Sequence, residues 1–179
     1  MLDALLIAYL VLEYVSVILL LYLIVYCHNR RVNLTLQLFC AVALLNNINE
    51  TMLILHQLTL GMTSVEATRG EPICIANAVI EHLLPLVLTF LASCIGFHIW
   101  FVVVAKQKTT EPQMVKWYCL VSIGIPVVTT ILACVLLRDR PYLTSYPRRF
   151  YCTLADTPVT AATFALPLFV ASVPGIIFS

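Results

Sequence analysis

The sequence predicts an all-α protein, a bundle of helices that crosses a membrane several times. Of its 179 residues, 61% are hydrophobic and 11% are charged, whereas soluble domains carry about 45–50% apolar and about 25% charged residues. The mean hydropathy is +0.99. Five apolar stretches are each long enough to cross about 30 Å of hydrocarbon as helices. Lipid offers no partner to an open backbone, and no stretch shows the short alternation of barrel strands, so helices are required.

The five predicted spans form a single transmembrane domain, separated by charged or turn-rich connectors. They cover residues 4–26, 34–58, 75–105, 117–137 and 159–179. The first span lacks the basic start and the small-residue cleavage site of a signal peptide, so we expect it to be retained. The last span has no charged flank to anchor it at the interface. We therefore expect the sequence to be truncated at its C-terminus.

Charge gives little information about partners other than the lipid bilayer. The net charge of +1 suggests no nucleic-acid partner. Orientation cannot be read from the basic residues, because the first and third connectors hold as many as the second and fourth. Those of the first and third connectors are Arg30, Arg31, Lys106, Lys108 and Lys116, and the other two connectors hold five arginines.

Two of the seven cysteines lie in connectors, Cys74 before the third span and Cys152 before the fifth. Both connectors are even-numbered, so the two thiols share a membrane face whichever way the chain points. If that face is oxidising, a disulfide can form and the N-terminus lies outside. The alternative is two unpaired thiols. We expect the first case, with the protein in the plasma membrane.

Three carboxyl groups lie within the predicted spans, Glu13, Glu50 and Glu81. An ionisable residue at mid-bilayer costs about 2.5–3.5 kcal/mol on insertion scales, so each needs a reason. Helical spacing places Asn46 and Asn49 on the face of Glu50. One interpretation is a water-accessible cavity that binds a small polar ligand or a cation. The other is hydrogen bonding between helices by the amides and by protonated carboxyls, which holds the bundle together.

The carboxyls favour one of these interpretations and the amides favour neither. For the asparagines, the cavity and the hydrogen bonding between helices both remain open. Three carboxyls on three helices exceed what packing requires, which favours the cavity. We assign His82 to the same candidate site because it adjoins Glu81.

No catalytic or metal-binding motif appears in the sequence. It has no zinc-type His-Glu spacing, no glycine-rich phosphate loop and no Gly-x-Ser-x-Gly elbow. We therefore expect neither an enzyme nor a bound metal or cofactor.

The layout of spans and connectors resembles the first five helices of a seven-helix G-protein-coupled receptor. The features that carry the resemblance are short first and third connectors, a long third span opening at Cys74, Cys152 before the fifth span, Pro126 in the fourth and Pro167 in the fifth. Residues 96–102 hold no Asp-Arg-Tyr-type acid–base pair. The sequence is accordingly more similar to the divergent orphan receptors of fungi than to rhodopsin-type receptors.

The resemblance implies seven helices, an outside N-terminus, a Cys74–Cys152 bridge and a pocket for an extracellular small molecule in the outer half of the bundle. It also implies signalling to a heterotrimeric G protein through the inner connectors. The coupling residues would then be the basic ones of the first and third connectors, named above.

Two other classes of membrane protein remain as alternatives. A transporter or channel could use Glu13, Glu50 and Glu81 as a path for a cation or proton. An electron-transfer protein could hold haem between paired histidines at two depths, His56 with His82 and His28 with His98.

Overall fold

The computed structural model describes residues 2–30, 33–59, 72–106, 111–137, 154 and 157–177. Every long element in these ranges is a helix, which confirms the predicted all-α fold class for this part of the chain. The helices are α1 (Leu2–Arg30), α2 (Leu34–Thr59), α3 (Pro72–Val103), α4 (Glu111–Leu136) and α5, which runs from Pro158–Thr160 through a π-helical turn, Ala161–Ala165, to Leu166–Ile177.

Three of these helices are long and apolar enough to cross a membrane: Ile7–Arg30 of α1, Ile75–Val103 of α3 and Gln113–Leu136 of α4. The predicted second and fifth spans coincide with α2 and α5. The polar residues of α2 lower its mean hydropathy, and the apolar part of α5 within the described residues is short, Pro158–Val173. Membrane crossing by α2 and α5 stays a prediction.

Local sequence explains where the helices begin. Pro72, Pro112 and Pro158 stand in the first turns of α3, α4 and α5, where a missing N–H costs nothing and the fixed φ suits a helix. The Oδ1 atom of Asn33 accepts the Leu36 N–H at 3.1 Å, which caps α2. Helix α4 begins at residue 111, six residues before the predicted start of the fourth span at residue 117. The difference arises because the first turns of α4 are too polar to belong to an apolar stretch.

Helix α1 lies at the edge of the bundle and packs mainly against α2. Large apolar side chains are exposed over more than half of its circumference, for example Val11, Tyr14, Leu19 and Leu23. A helix that is apolar all round is stable in an apolar medium and not at a water-facing surface. These exposed side chains are therefore placed to contact lipid.

Helix α3 is the centre of the bundle and contacts α2, α4 and α5. Its buried Val87 and Leu91 pack with Val42 of α2 to form the hydrophobic core. The Ser93 hydroxyl donates to the main-chain carbonyl of Ala171 and so joins α3 to α5. A change in the position of α3 would therefore alter its contacts with three neighbouring helices.

Truncation of the core should destabilise the bundle much more than truncation of a lipid-facing side chain. Leu91 is 0% exposed, and Leu91→Ala should lower the free energy of unfolding by about 2–5 kcal/mol because it leaves a cavity. The control is Leu132→Ala, whose side chain on α4 is 48% exposed. Reversible unfolding in detergent measures both. Equal losses for the two variants would contradict this packing.

Candidate functional site

A cluster of polar side chains joins α1, α2 and α3 inside the bundle. It contains Tyr9 and Glu13 of α1, Asn46, Asn49 and Glu50 of α2, and Glu81 of α3, and is called the carboxyl cluster below. Because consecutive helices are antiparallel, it lies towards the end where α1 and α3 begin and α2 ends. Its carboxyl-bearing residues are about 15 Å from those helix ends, at about 1.5 Å per residue.

Glu50 stands at the middle of the carboxyl cluster. Its Oε1 atom accepts a hydrogen bond from Asn46 Nδ2 at 2.8 Å, one turn earlier on the same helix. Its Oε2 atom accepts from the Tyr9 hydroxyl of α1. The carboxyl group is therefore held from two sides, which fixes its position between the first two helices.

Asn49 connects α2 to α3. Its Nδ2 atom donates to Glu81 Oε1 at 2.9 Å. The predicted common face of Asn46, Asn49 and Glu50 is thus present, and it is divided between two neighbours: Asn49 faces α3, and Glu50 faces α1.

A second polar contact between α1 and α2 was not predicted. Asn47 Nδ2 donates to the Ser16 hydroxyl at 2.7 Å. Tyr9 was also missed, since a tyrosine in an apolar stretch is common. One available signal was its spacing, because Tyr9 precedes Glu13 by one helical turn and so shares its face.

The three carboxyl groups have one another as charged neighbours. Glu13 interacts with Glu50, and Glu81 interacts with both. Among the described residues, no basic side chain acts on Glu13 or Glu81. Two acceptor atoms of the cluster, Glu13 Oε2 and Asn46 Oδ1, are buried without a hydrogen-bond donor from the described part of the chain. The cluster therefore holds three carboxyl groups and two unused acceptors, without a basic partner for Glu13 or Glu81 from the described residues.

His82, predicted to belong to the same site, is turned towards α5. Its ring lies 5.1 Å from the Phe164 ring, centroid to centroid, and it hydrogen bonds to the main chain of Thr163. Successive residues of a helix point about 100° apart, so Glu81 and His82 serve different neighbours. The structure brings together the other five predicted ligand residues, joined by Tyr9.

Of the other predicted histidines and the predicted coupling residues, some lie towards the opposite end of the bundle. The rest are outside the residues that the structure describes. His98 Nδ1 is 3.0 Å from the Tyr118 hydroxyl. The guanidinium of Arg30 lies 6.0 Å from the centre of the Tyr26 ring, and Lys106 and Lys116 are exposed. Arg31, Lys108 and the side chain of His56 are outside the described residues. No group of three His, Cys, Asp or Glu side chains suited to a metal occurs among those described.

The predicted disulfide also falls outside the description. Cys152 and the side chain of Cys74 are not among the described parts of the chain, so their pairing stays a prediction. Five other cysteines, namely Cys27, Cys40, Cys94, Cys119 and Cys134, are free thiols within the helices.

The hydrogen bond between Asn49 and Glu81 should contribute a measurable coupling between α2 and α3. In a double-mutant cycle with Asn49→Ala and Glu81→Ala, we expect a coupling energy of about 0.6 kcal/mol and at most about 1.7 kcal/mol, as for other bonds between membrane helices. Asn47→Ala replaces Asn49→Ala in the control cycle, because Asn47 bonds to Ser16 instead. Unfolding in detergent gives both values, and equal coupling in the two cycles would contradict the assigned pairing.

Comparisons of the sequence with known proteins assign no family. No model of a protein family matches it, and no curated protein matches it either. The resemblance to seven-helix receptors is accordingly carried by the layout of spans, cysteines and prolines.

Proposed function

We propose that this chain is part of a multipass membrane receptor that binds a small cationic molecule at the carboxyl cluster. The observation that carries the proposal is the convergence of Glu13, Glu50 and Glu81 from three helices without a basic partner among the described residues. Burying carboxylates together is costly unless protons or an opposite charge neutralise them. A bound cation would supply that charge.

The hydrogen-bonding pattern of the cluster specifies the kind of cation. Glu13 Oε2 and Asn46 Oδ1 are acceptors that lack donors from the described residues. An ammonium group brings up to three N–H donors and no acceptor. The Tyr9 ring is adjacent, and a cation near an aromatic face gains further stabilisation. A primary or secondary ammonium therefore fits the cluster better than a metal ion, which would need more oxygen ligands.

The position of the cluster suits a receptor. It lies towards the end of the bundle that is outside in the orientation with paired Cys74 and Cys152. Glu81 belongs to α3, and α3 also contacts α4 and α5. A ligand that draws α3 towards α2 would change the contacts of α3 with α4 and α5. The resulting shift would be transmitted to the opposite end of the bundle, where Lys106 and Lys116 lie. There the basic connectors would contact a heterotrimeric G protein, as in the seven-helix receptors that the layout resembles.

The second candidate function is transport of a cation or proton. It is favoured by one specific observation, the run of hydrogen bonds from Tyr9 through Glu50 to Asn46 beside the Asn49–Glu81 pair. Chains of carboxyls and polar groups inside a membrane are typical of proton and ion paths.

Binding of ammonium ions should depend on Glu50. A panel from methylammonium to 2-phenylethylammonium, added to the purified chain in lipid nanodiscs, should raise the unfolding temperature by binding the folded state. Glu50→Gln keeps the size of the side chain and removes its charge, so binding should weaken about 10- to 100-fold, the range for hydrogen bonds to charged groups.

The control is Glu111→Gln, at the first residue of α4 and so at the other end of the bundle, which should leave binding unchanged. Equal binding by the Glu50→Gln protein, or no binding by any member of the panel, would contradict the proposed site. Flux of the bound ion or of protons into sealed vesicles, abolished by Glu50→Gln, would favour the transporter over the receptor.

A further inference from the structure

We propose a second site, between α3, α4 and α5, that binds a small neutral molecule carrying a hydroxyl group. Two buried side chains at the same level of facing helices, His82 and Thr130, each present a polar atom without a partner from the described residues. A cavity of about 250 Å³ lies one helical turn away. This site is separate from the carboxyl cluster and does not depend on its function.

The ring of His82 is fixed by α5 and leaves one nitrogen unused. His82 is 4% exposed. Pro167 has no N–H to donate to the carbonyl of Thr163, four residues earlier, and the His82 ring bonds to the main chain of Thr163 instead. Since Nε2 lacks a partner in the part of the chain that the structure describes, Nδ1 makes this bond as the donor. In that tautomer of the neutral ring, Nε2 is an acceptor.

Thr130 differs from the other hydroxyl residues of the helices. Six of them donate to the carbonyl four residues earlier, which is the common way to satisfy a hydroxyl in a helix. They are Thr51, Thr89, Ser93, Ser122, Thr163 and Ser172. Thr130 is 5% exposed, and its Oγ1 atom has no such bond and no other partner in the described residues. A buried hydroxyl left unpaired costs about 1–3 kcal/mol, so a guest that pairs with it gains affinity.

The antiparallel register of α3 and α4 places these two residues at the same level of the bundle. At one end His98 pairs with Tyr118, and at the other Ala78 and Cys134 line the same cavity. Four residues along α3 from Ala78 is His82, and four residues back along α4 from Cys134 is Thr130. Both helices rise by the same amount per residue, so His82 and Thr130 lie at one level.

The cavity determines the size and character of the guest. Its lining is Ile75, Ala78, Val79, Cys134 and Leu154, without a charged group. The cavity volume is about 250 Å³. One water molecule occupies about 30 Å³ in the liquid, and pockets for drug-sized ligands have volumes of about 300–1,000 Å³, so the cavity suits a guest of intermediate size. Neither His82 nor Thr130 lines the cavity itself. The fitting molecule therefore has a compact apolar body in the cavity and one hydroxyl that extends about one helical turn beyond it, donates to His82 Nε2 and accepts from Thr130. That is a small aliphatic or aromatic alcohol.

The π-helical turn of α5 closes this level of the bundle. It spans Ala161–Ala165, contacts α4 and carries both Thr163 and Phe164. Such turns are rare and frequently occur at functional sites. Here the turn places the Thr163 main chain and the Phe164 ring against His82, which orients Nε2 for the guest.

Binding of alcohols by the whole chain in nanodiscs tests the proposal. A panel of cyclohexanol, phenol and 2-phenylethanol should raise the unfolding temperature, and their methyl ethers, which have no hydroxyl donor, should bind about three- to tenfold more weakly. Thr130→Val keeps the shape of the side chain and should weaken alcohol binding by a similar factor. The matched control is Thr129→Val, because the Thr129 hydroxyl is already bonded to the Pro126 carbonyl.

A second variant keeps the test decisive if Thr130→Val does not fold. Ala78→Leu fills the cavity and should abolish alcohol binding while His82 and Thr130 stay intact. In the unmodified protein, alcohol should also slow the reaction of Cys134 with a small methanethiosulfonate, followed by peptide mass spectrometry, with Cys119 as internal reference. Equal binding of alcohols and ethers, unchanged binding by the folded Thr130→Val or Ala78→Leu proteins, or no binding by the panel would overturn the proposal.

Discussion

The constraint on which the structure depends is that a polar group inside hydrocarbon must find its partner within the protein, because no water is there to supply one. Helix α2 is the element that meets this constraint for its neighbours. Within about one turn, Asn47 and Glu50 bond to α1 and Asn49 bonds to α3. In lipid there is no hydrophobic driving force between helices, since lipid tails solvate apolar surface equally well, so close packing and hydrogen bonds must hold them together. The polar face of α2 therefore fixes the order of the first three helices.

The same constraint makes the unpaired groups informative. Within the described residues, Glu13 Oε2 and Asn46 Oδ1 remain without donors on one side of α3, and His82 Nε2 and Thr130 Oγ1 remain without partners on the other. The two groups differ in chemistry, since the first consists of a carboxyl and an amide acceptor and the second of one imidazole nitrogen and one hydroxyl. Glu81 and His82 are adjacent in sequence and belong to opposite sides of α3. A guest in either proposed site would consequently bias the position of the same helix.

Much of the fold and part of the site were predictable from the sequence. Apolar run length gives the helices, and helical spacing gives the common face of Asn46, Asn49 and Glu50. Spacing places Tyr9 on the face of Glu13, but its bond to Glu50 and the Asn47–Ser16 bond could not be predicted, because they depend on which face of α1 meets α2 and the sequence of one helix does not specify its neighbour's rotation. The direction of His82 was unpredictable for a related reason. It depends on a hydrogen bond from the His82 ring to the main chain of Thr163, which lies 81 residues later in the chain.

The central claim is that the polar face of α2 meets α3 within the membrane, and cross-linking in intact membranes tests it most directly. A protein with Asn49→Cys and Glu81→Cys should form a disulfide between the two positions on mild oxidation, because the side chains they replace are in hydrogen-bond contact. Ile48 is exposed on the same helix, and pairing Ile48→Cys with Glu81→Cys should give little or no cross-link. Efficient cross-linking from position 48 and none from position 49 would contradict the account.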